Sequence, residues 1–190
     1  MELSFRLNRR AFLQAAVAAT AAAGTGVACG KNGTPWRFFS IDEARCLASI
    51  CDQIIPPDQD QGAAWAGVVH YIDLQLCGPY ENLCATYRLG LAAVDKTSRA
   101  SYGKVFAEVD ATQQIELLSM LEQGKAKAEI WKGVSSSEFF GYLLDHIMQG
   151  FYGDPRHGGN REGMSWKMVG LEYPPIRGRI RSDRPKELPR

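Results

Sequence analysis

The sequence predicts an all-α fold: a single-domain helical bundle with a glycine- and aromatic-rich C-terminal loop region and a basic tail. Serine and aspartate capping strings stand ahead of apolar residues at helical spacing. Glycine or proline closes the periodic runs, and no stretch alternates apolar and polar residues for long enough to make a strand.

The first helix opens at Ser40-Ile41-Asp42-Glu43, where the serine can cap a backbone amide and the glutamate can return the bond. Leu47, Ile50, Cys51 and Ile54 then share one face, and Pro56-Pro57 ends the helix. A second helix is expected from Ala63 to Cys77, with Trp65, Val69, Ile72 and Leu76 as its buried stripe and Gly78-Pro79 as its stop. The third runs from about Tyr80 to Ser98 and buries Leu83, Tyr87, Leu91 and Val94. Asp110-Ala111-Thr112-Gln113 and Ser135-Ser136-Ser137-Glu138 open a fourth and a fifth, with Ile115, Leu118 and Leu121 and then Phe139, Leu143 and Ile147 as their buried rows. Glycines 124 and 150 are their expected ends. Beyond Gly150 come a loop to Asn160, a short stretch around Trp166 and a tail in which prolines oppose a helix.

A chain of 190 residues with a formal charge of +1 has room for one domain with a real core and carries no overall electrostatic mark of a nucleic-acid binder. The leader differs in composition from the rest. Arg6, Arg9 and Arg10 precede an alanine-rich run from Ala11 to Ala23 that is too weakly apolar for a membrane span, so the segment reads as an export signal. Arg9-Arg10 followed by Ala11, Phe12 and Leu13 resembles the twin-arginine motif, an address read by the twin-arginine translocase. The organisation is then a signal peptide over 1–29, a linker over 30–39, a helical domain over 40–176 and a basic flexible tail over 177–190. Cys29 has two readings, a lipidation site or the neighbour of a plain cleavage site; Gly26 stands where a lipoprotein box usually has an aliphatic residue. The tail could meet lipid headgroups or an acidic partner, or simply be solvated.

Five cysteines in an exported chain raise the question of bridges. Cys46, Cys51, Cys77 and Cys84 fall in the first three helices, as disulfides between helices or as buried apolar thiols. Their spacings fit neither a zinc ribbon nor an iron-sulfur pattern. His70 and Asp73, one turn apart, form either a dyad or a local surface pair. There is no glycine fingerprint between a strand and a helix for a dinucleotide, and no Cys-x-x-Cys-His haem attachment string. No catalytic, cofactor-binding or metal-binding residue is therefore assigned. The candidate partner interface is the loop with Phe151, Tyr152, Asp154, Arg156, His157 and Asn160, together with Trp166, because it joins glycine freedom to aromatic and arginine anchors. The same residues could instead close the end of the bundle. An enzymatic alternative makes His157 a base oriented by Asp154, in an autonomous periplasmic enzyme or redox protein built on the Asp154 to Asn160 loop.

Several strings together resemble the gluconate 2-dehydrogenase subunit 3 family: the Arg9-Arg10 leader, Ile54-Ile55-Pro56, Gly62-Ala63-Ala64, Tyr71-Ile72-Asp73 leading to Leu76, Gly78-Pro79-Tyr80 and Gly90-Leu91. The most specific are Gly150-Phe151-Tyr152-Gly153-Asp154-Pro155, Gly158-Gly159-Asn160 and Trp166-Lys167. The resemblance implies a small, cofactor-free accessory subunit of a periplasm-facing complex, peripheral to the inner membrane. Its implied partners are a large flavoprotein dehydrogenase that holds FAD and a membrane-attached cytochrome that holds haem c. It further implies that this chain carries the flavoprotein through the twin-arginine translocase and supports its maturation as a chaperone.

Overall fold

The computed structural model describes residues 35–171. Arg9, Arg10, Phe12, Leu13 and Cys29, the first half of the linker and the basic tail lie outside the described residues. Six α-helices and no strand are found among those described: α1 (Ile41–Ile54), α2 (Val68–Leu76), α3 (Cys84–Tyr102), α4 (Ala111–Glu122), α5 (Ser136–Tyr152) and α6 (Met164–Met168). Short 3₁₀ turns at Glu81–Leu83, Phe106–Glu108, Pro155–His157 and Arg161–Gly163 link them. The all-α class is as expected from the sequence, and none of these helices is long and apolar enough to cross a membrane.

Capping fixes the helix starts locally. Ser40 Oγ accepts the Glu43 amide at 3.2 Å while the Glu43 carboxylate accepts the Ser40 amide at 2.8 Å, and Asp110 and Gln113 repeat the exchange at α4. At α5 only one arm forms, from the Glu138 amide to Ser135 Oγ, because the Glu138 carboxylate accepts the Tyr142 hydroxyl instead.

Four elements depart from the sequence expectation; one is α3, which runs Cys84–Tyr102 rather than from about Tyr80 to Ser98, Leu83 being left in the 3₁₀ turn before it. Helix α2 starts at Val68, five residues after Ala63, because Gly67 takes a left-handed conformation (φ 82°) and the preceding turn is strapped to α1 by the Ala64 amide donating to Asp52 Oδ1 at 2.9 Å. Trp65 is thereby turned outward, 37 % exposed, with the Arg161 guanidinium 5.2 Å from its ring centre. In α4, Ile115 is 53 % exposed and Gln114 is buried in its place. The Gln114 amide donates to the Phe106 carbonyl at 2.8 Å and accepts from Gln53 at 2.7 Å, which makes an inward polar side chain affordable and rotates Ile115 to the surface. Finally, α5 runs through Gly150 to Tyr152, since Gly150 is needed as a gap for Tyr71: a Cβ there would lie 2.8 Å from the Tyr71 ring.

Helix α5 is the central element and packs against α1, α2, α3 and α4. Its inward row of Phe139, Leu143, Ile147 and Phe151 meets Leu47 and Ile50 of α1, Ile72 and Leu76 of α2, Tyr87, Leu91 and Val94 of α3, and Leu117 and Leu121 of α4 in one apolar core. Helix α3 approaches α5 closely at Gly90, where a Cβ would fall 2.4 Å from the Phe139 ring.

The four cysteines assigned to helices do not bridge one another. Cys46, Cys51 and Cys84 are free thiols, and Cys77 is disulfide-bonded. Cys46 and Cys51 point from one helix into the core, where burial pushes both thiols up, assisted by Asp95 beside Cys46 and Asp52 beside Cys51.

Asp73 holds the N-terminal segment. Fully buried on α2, its carboxylate accepts the amides of Arg37 at 2.8 Å, Phe38 at 2.9 Å and Phe39 at 3.0 Å. It faces the 37–39 backbone, while His70 on the same helix is exposed and packs beside Gly158, so the two make no dyad. Arg88 of α3 completes the clamp: it donates to the Glu43 carboxylate and the Phe38 carbonyl, with its guanidinium 4.1 Å from the Phe38 ring centre. Replacing Asp73 by alanine leaves three buried or half-buried amides without their acceptor. The expected loss is about 3 kcal/mol, or a fall in Tm of roughly 6–12 °C in a thermal unfolding scan.

Candidate functional site

The C-terminal loop lies across the end of α5 and the start of α2. Asn160 is fully buried in a left-handed conformation (φ 43°), a geometry asparagine tolerates better than most residues. Its side-chain amide donates to the Gly153 carbonyl at 2.8 Å, and its oxygen accepts the Ser165 amide at 3.0 Å. Trp166, 8 % exposed, donates its indole N–H to the Tyr152 carbonyl at 2.9 Å. Gly159 rests directly on α5, where a Cβ would stand 2.1 Å from the Gly150 carbonyl oxygen, and the Arg161 amide donates to the Ala66 carbonyl at 2.9 Å. Phe151 is part of the core, its ring edge-on to Tyr152 at 4.9 Å. Phe151, Asn160 and Trp166 are thus turned inward and close the bundle.

Asp154 caps the 3₁₀ turn at Pro155–His157 by accepting the Arg156 amide at 3.0 Å, and the Arg156 Nε donates to both of its oxygens at 3.0 Å. These bonds from Arg156 hold the Asp154 carboxyl well below the usual carboxylate range. The carboxylate is engaged by Arg156 rather than set against His157 as an orienting group. Tyr152 and His157 are exposed and border a groove of about 440 Å³ whose other walls are Tyr71, Gln75, Met148, Gln149 and Gly153.

Next to this groove, and joined to it at Tyr71 and Gln149, lies an aromatic-polar cluster that sequence reasoning did not pick out. Gln149 Oε1 accepts the hydroxyls of Tyr71 at 3.1 Å and Tyr80 at 2.7 Å. The Tyr80 ring stacks on His146 with centroids 4.5 Å apart, and Tyr87, buried in the core, is 2.7 Å from His146 Nδ1 through its hydroxyl. Burial pushes the His146 pKa down, partly opposed by nearby Asp145, which favours the neutral ring in its hydrogen bond with the Tyr87 hydroxyl. Its only signal in the sequence is spacing: Tyr142, His146 and Gln149 follow one another on one side of α5. Among the described residues no group of three or more histidine, cysteine, aspartate or glutamate side chains is placed to hold a metal ion.

The model of the family described as gluconate 2-dehydrogenase subunit 3 matches residues 41–172, from the first turn of α1 past the end of α6. This chain belongs to that family. No match was found among curated proteins or among solved structures. Membership in the subunit 3 family makes the chain a component of a multi-subunit gluconate dehydrogenase complex, and the loop just described is the closing end of a subunit 3 domain.

The loop's two classes of residue should separate under substitution. Asn160→Ala removes two internal hydrogen bonds and should cost about 1–3 kcal/mol, while Tyr152→Ala and His157→Ala should stay within about 1 kcal/mol of wild type in chemical unfolding. A neutral buried His146 also sets a pH dependence. Its folded pKa lies below the unfolded value of about 6.5, so its contribution is complete above that pH and is lost as the pH falls and the unfolded chain takes up the proton. Urea unfolding followed from pH 7.5 down to about pH 5.5 should show this decline, and His146→Gln should flatten it.

Proposed function

We propose that this chain is the non-catalytic small subunit of a periplasmic, membrane-bound, flavin-dependent dehydrogenase of gluconate or a related sugar or polyol, and that it aids twin-arginine export and maturation of the flavoprotein subunit. The observation that carries the reading is the family match along residues 41–172, downstream of the Arg9-Arg10 leader. FAD then belongs to the large subunit and haem c to the cytochrome, and the complex associates with the membrane through its other components.

The disposition of side chains supports a binding role. Residues with catalytic potential in the loop serve the fold: Asp154 is engaged by Arg156, and Asn160 by Gly153 and Ser165. The thiols of Cys46 and Cys51 are buried and held in their unreactive protonated form. A preformed helical domain can meet a partner with little ordering cost, which suits assembly before a translocase that accepts folded cargo. Mechanistically the subunit contributes binding free energy: a flavoprotein without a signal of its own crosses only while bound to the chain that has one.

The test is double replacement of Arg9 and Arg10 by lysine in the native host, followed by separation of periplasm, membrane and cytoplasm. Both this chain and the flavoprotein should accumulate in the cytoplasm, with dehydrogenase activity lost from the membrane fraction. Unchanged export of the flavoprotein would refute the carrier role.

A further inference from the structure

Leu144, Met148 and Tyr152 are 40 %, 41 % and 44 % exposed and follow one another at one-turn intervals along α5. Ile41, Leu89 and Ile115 are exposed singly on α1, α3 and α4, which is ordinary for a protein surface. The α5 stripe is different in three respects. It continues towards the N-terminus of the helix at Gly141, where a Cβ would meet nothing within 4 Å, so the row has an open notch as well as ridges. It runs at its other end into the groove of about 440 Å³ between Met148, Tyr152, Tyr71 and His157. One edge is acidic: Glu138 and Asp145 are exposed beside the stripe, and α5 contains no lysine or arginine.

Gly141, Leu144, Met148 and Tyr152 are spaced by three, four and four residues, so they share one helix face of the kind that receives another helix. A small residue at one end lets a partner backbone come close, and the groove at the other end has room for a large apolar anchor. The acidic edge selects the sign of the flanking charge. We infer that the Gly141–Leu144–Met148–Tyr152 face of α5, with the adjoining groove, docks an amphipathic helix of the flavoprotein subunit whose apolar row is bordered on one side by lysine or arginine. This rests on the subunit reading and adds to it the surface used and the chemistry of what covers it. The docking face lies beside the closing loop and shares with it Tyr152, Gly153 and His157; Phe151, Asn160 and Trp166 are turned inward.

The inference is tested with the full chain, tagged at its carboxyl end and recovered from the native membrane fraction in mild detergent. Wild type should bring the flavoprotein with it. Met148→Glu and Leu144→Glu should each lower that recovery about tenfold, whereas Ile115→Glu, an exposed apolar position on α4, should not. Charge reversal by Glu138→Lys with Asp145→Lys should weaken recovery most at low salt, as screening removes the repulsion at higher ionic strength. Because a glutamate variant could fail to fold, a photo-crosslinking benzophenone amino acid is also placed at position 148. It should join this chain to a flavoprotein helix that carries lysine or arginine next to an apolar row.

Undiminished recovery by both glutamate variants, or a crosslink to a second copy of this chain or to the cytochrome, would overturn the α5 docking face while leaving the subunit reading intact. If wild type itself recovers no flavoprotein, the subunit reading fails and the docking face falls with it.

Discussion

The carboxylate of Asp73 is the constraint on which the N-terminal half of the domain depends. Three successive backbone amides converge on one fully buried side chain. An uncompensated carboxylate in an apolar core is costly, and so are unpaired buried amides; together they form a unit in which each satisfies the other. The position of residues 37–39 then places Ser40 for its capping role and Phe38 under the Arg88 guanidinium, so that α1, α2 and α3 are registered through a short bent segment. The apolar core supplies the larger free energy but no comparable direction, because burial is proportional to area whereas the amide bonds are not.

At the opposite end the C-terminal loop is organised by backbone contacts. Gly159 lies on Gly150, the Arg161 amide reaches the Ala66 carbonyl, and Asn160 spans the loop from Gly153 to Ser165. The α2 start and the loop are therefore one assembly, and Gly67 and Gly158 take left-handed conformations where they meet. With Asp154 and Arg156 bound to each other, the outward surface left beside this assembly is a groove with apolar and aromatic walls and the α5 stripe leading into it. That distribution suits a protein whose work is to be held by another.

What was legible in the sequence was local. Ser40 with Glu43 and Asp110 with Gln113 are decided within one turn, and the apolar rows of α1, α3 and α5 are periodic, so these elements follow from neighbours in the chain. The errors come from distant partners. The start of α2 moved because Asp52 and the C-terminal loop hold the turn before it, and Ile115 turned outward because Gln114 found acceptor and donor in Phe106 and Gln53. Asp73 looked like one half of a surface pair, since its true partners lie more than thirty positions earlier. In the loop, the motif was visible but its meaning was divided: Phe151, Asn160 and Trp166 carry closure, while Tyr152, Gly153 and His157 border the groove. The exposed α5 row went unnoticed because a helix with one strong apolar face gives no reason to look for a second.

The contact of Gly159 with the Gly150 carbonyl bears on how far the C-terminal motif can be used as a label. Its glycines and asparagine are required by the shape of the junction, independently of any substrate. A chain bearing the motif therefore announces its architecture and is silent about substrate. Substrate identity must be sought in the other components of the complex, and two complexes with different substrates could share this loop residue for residue.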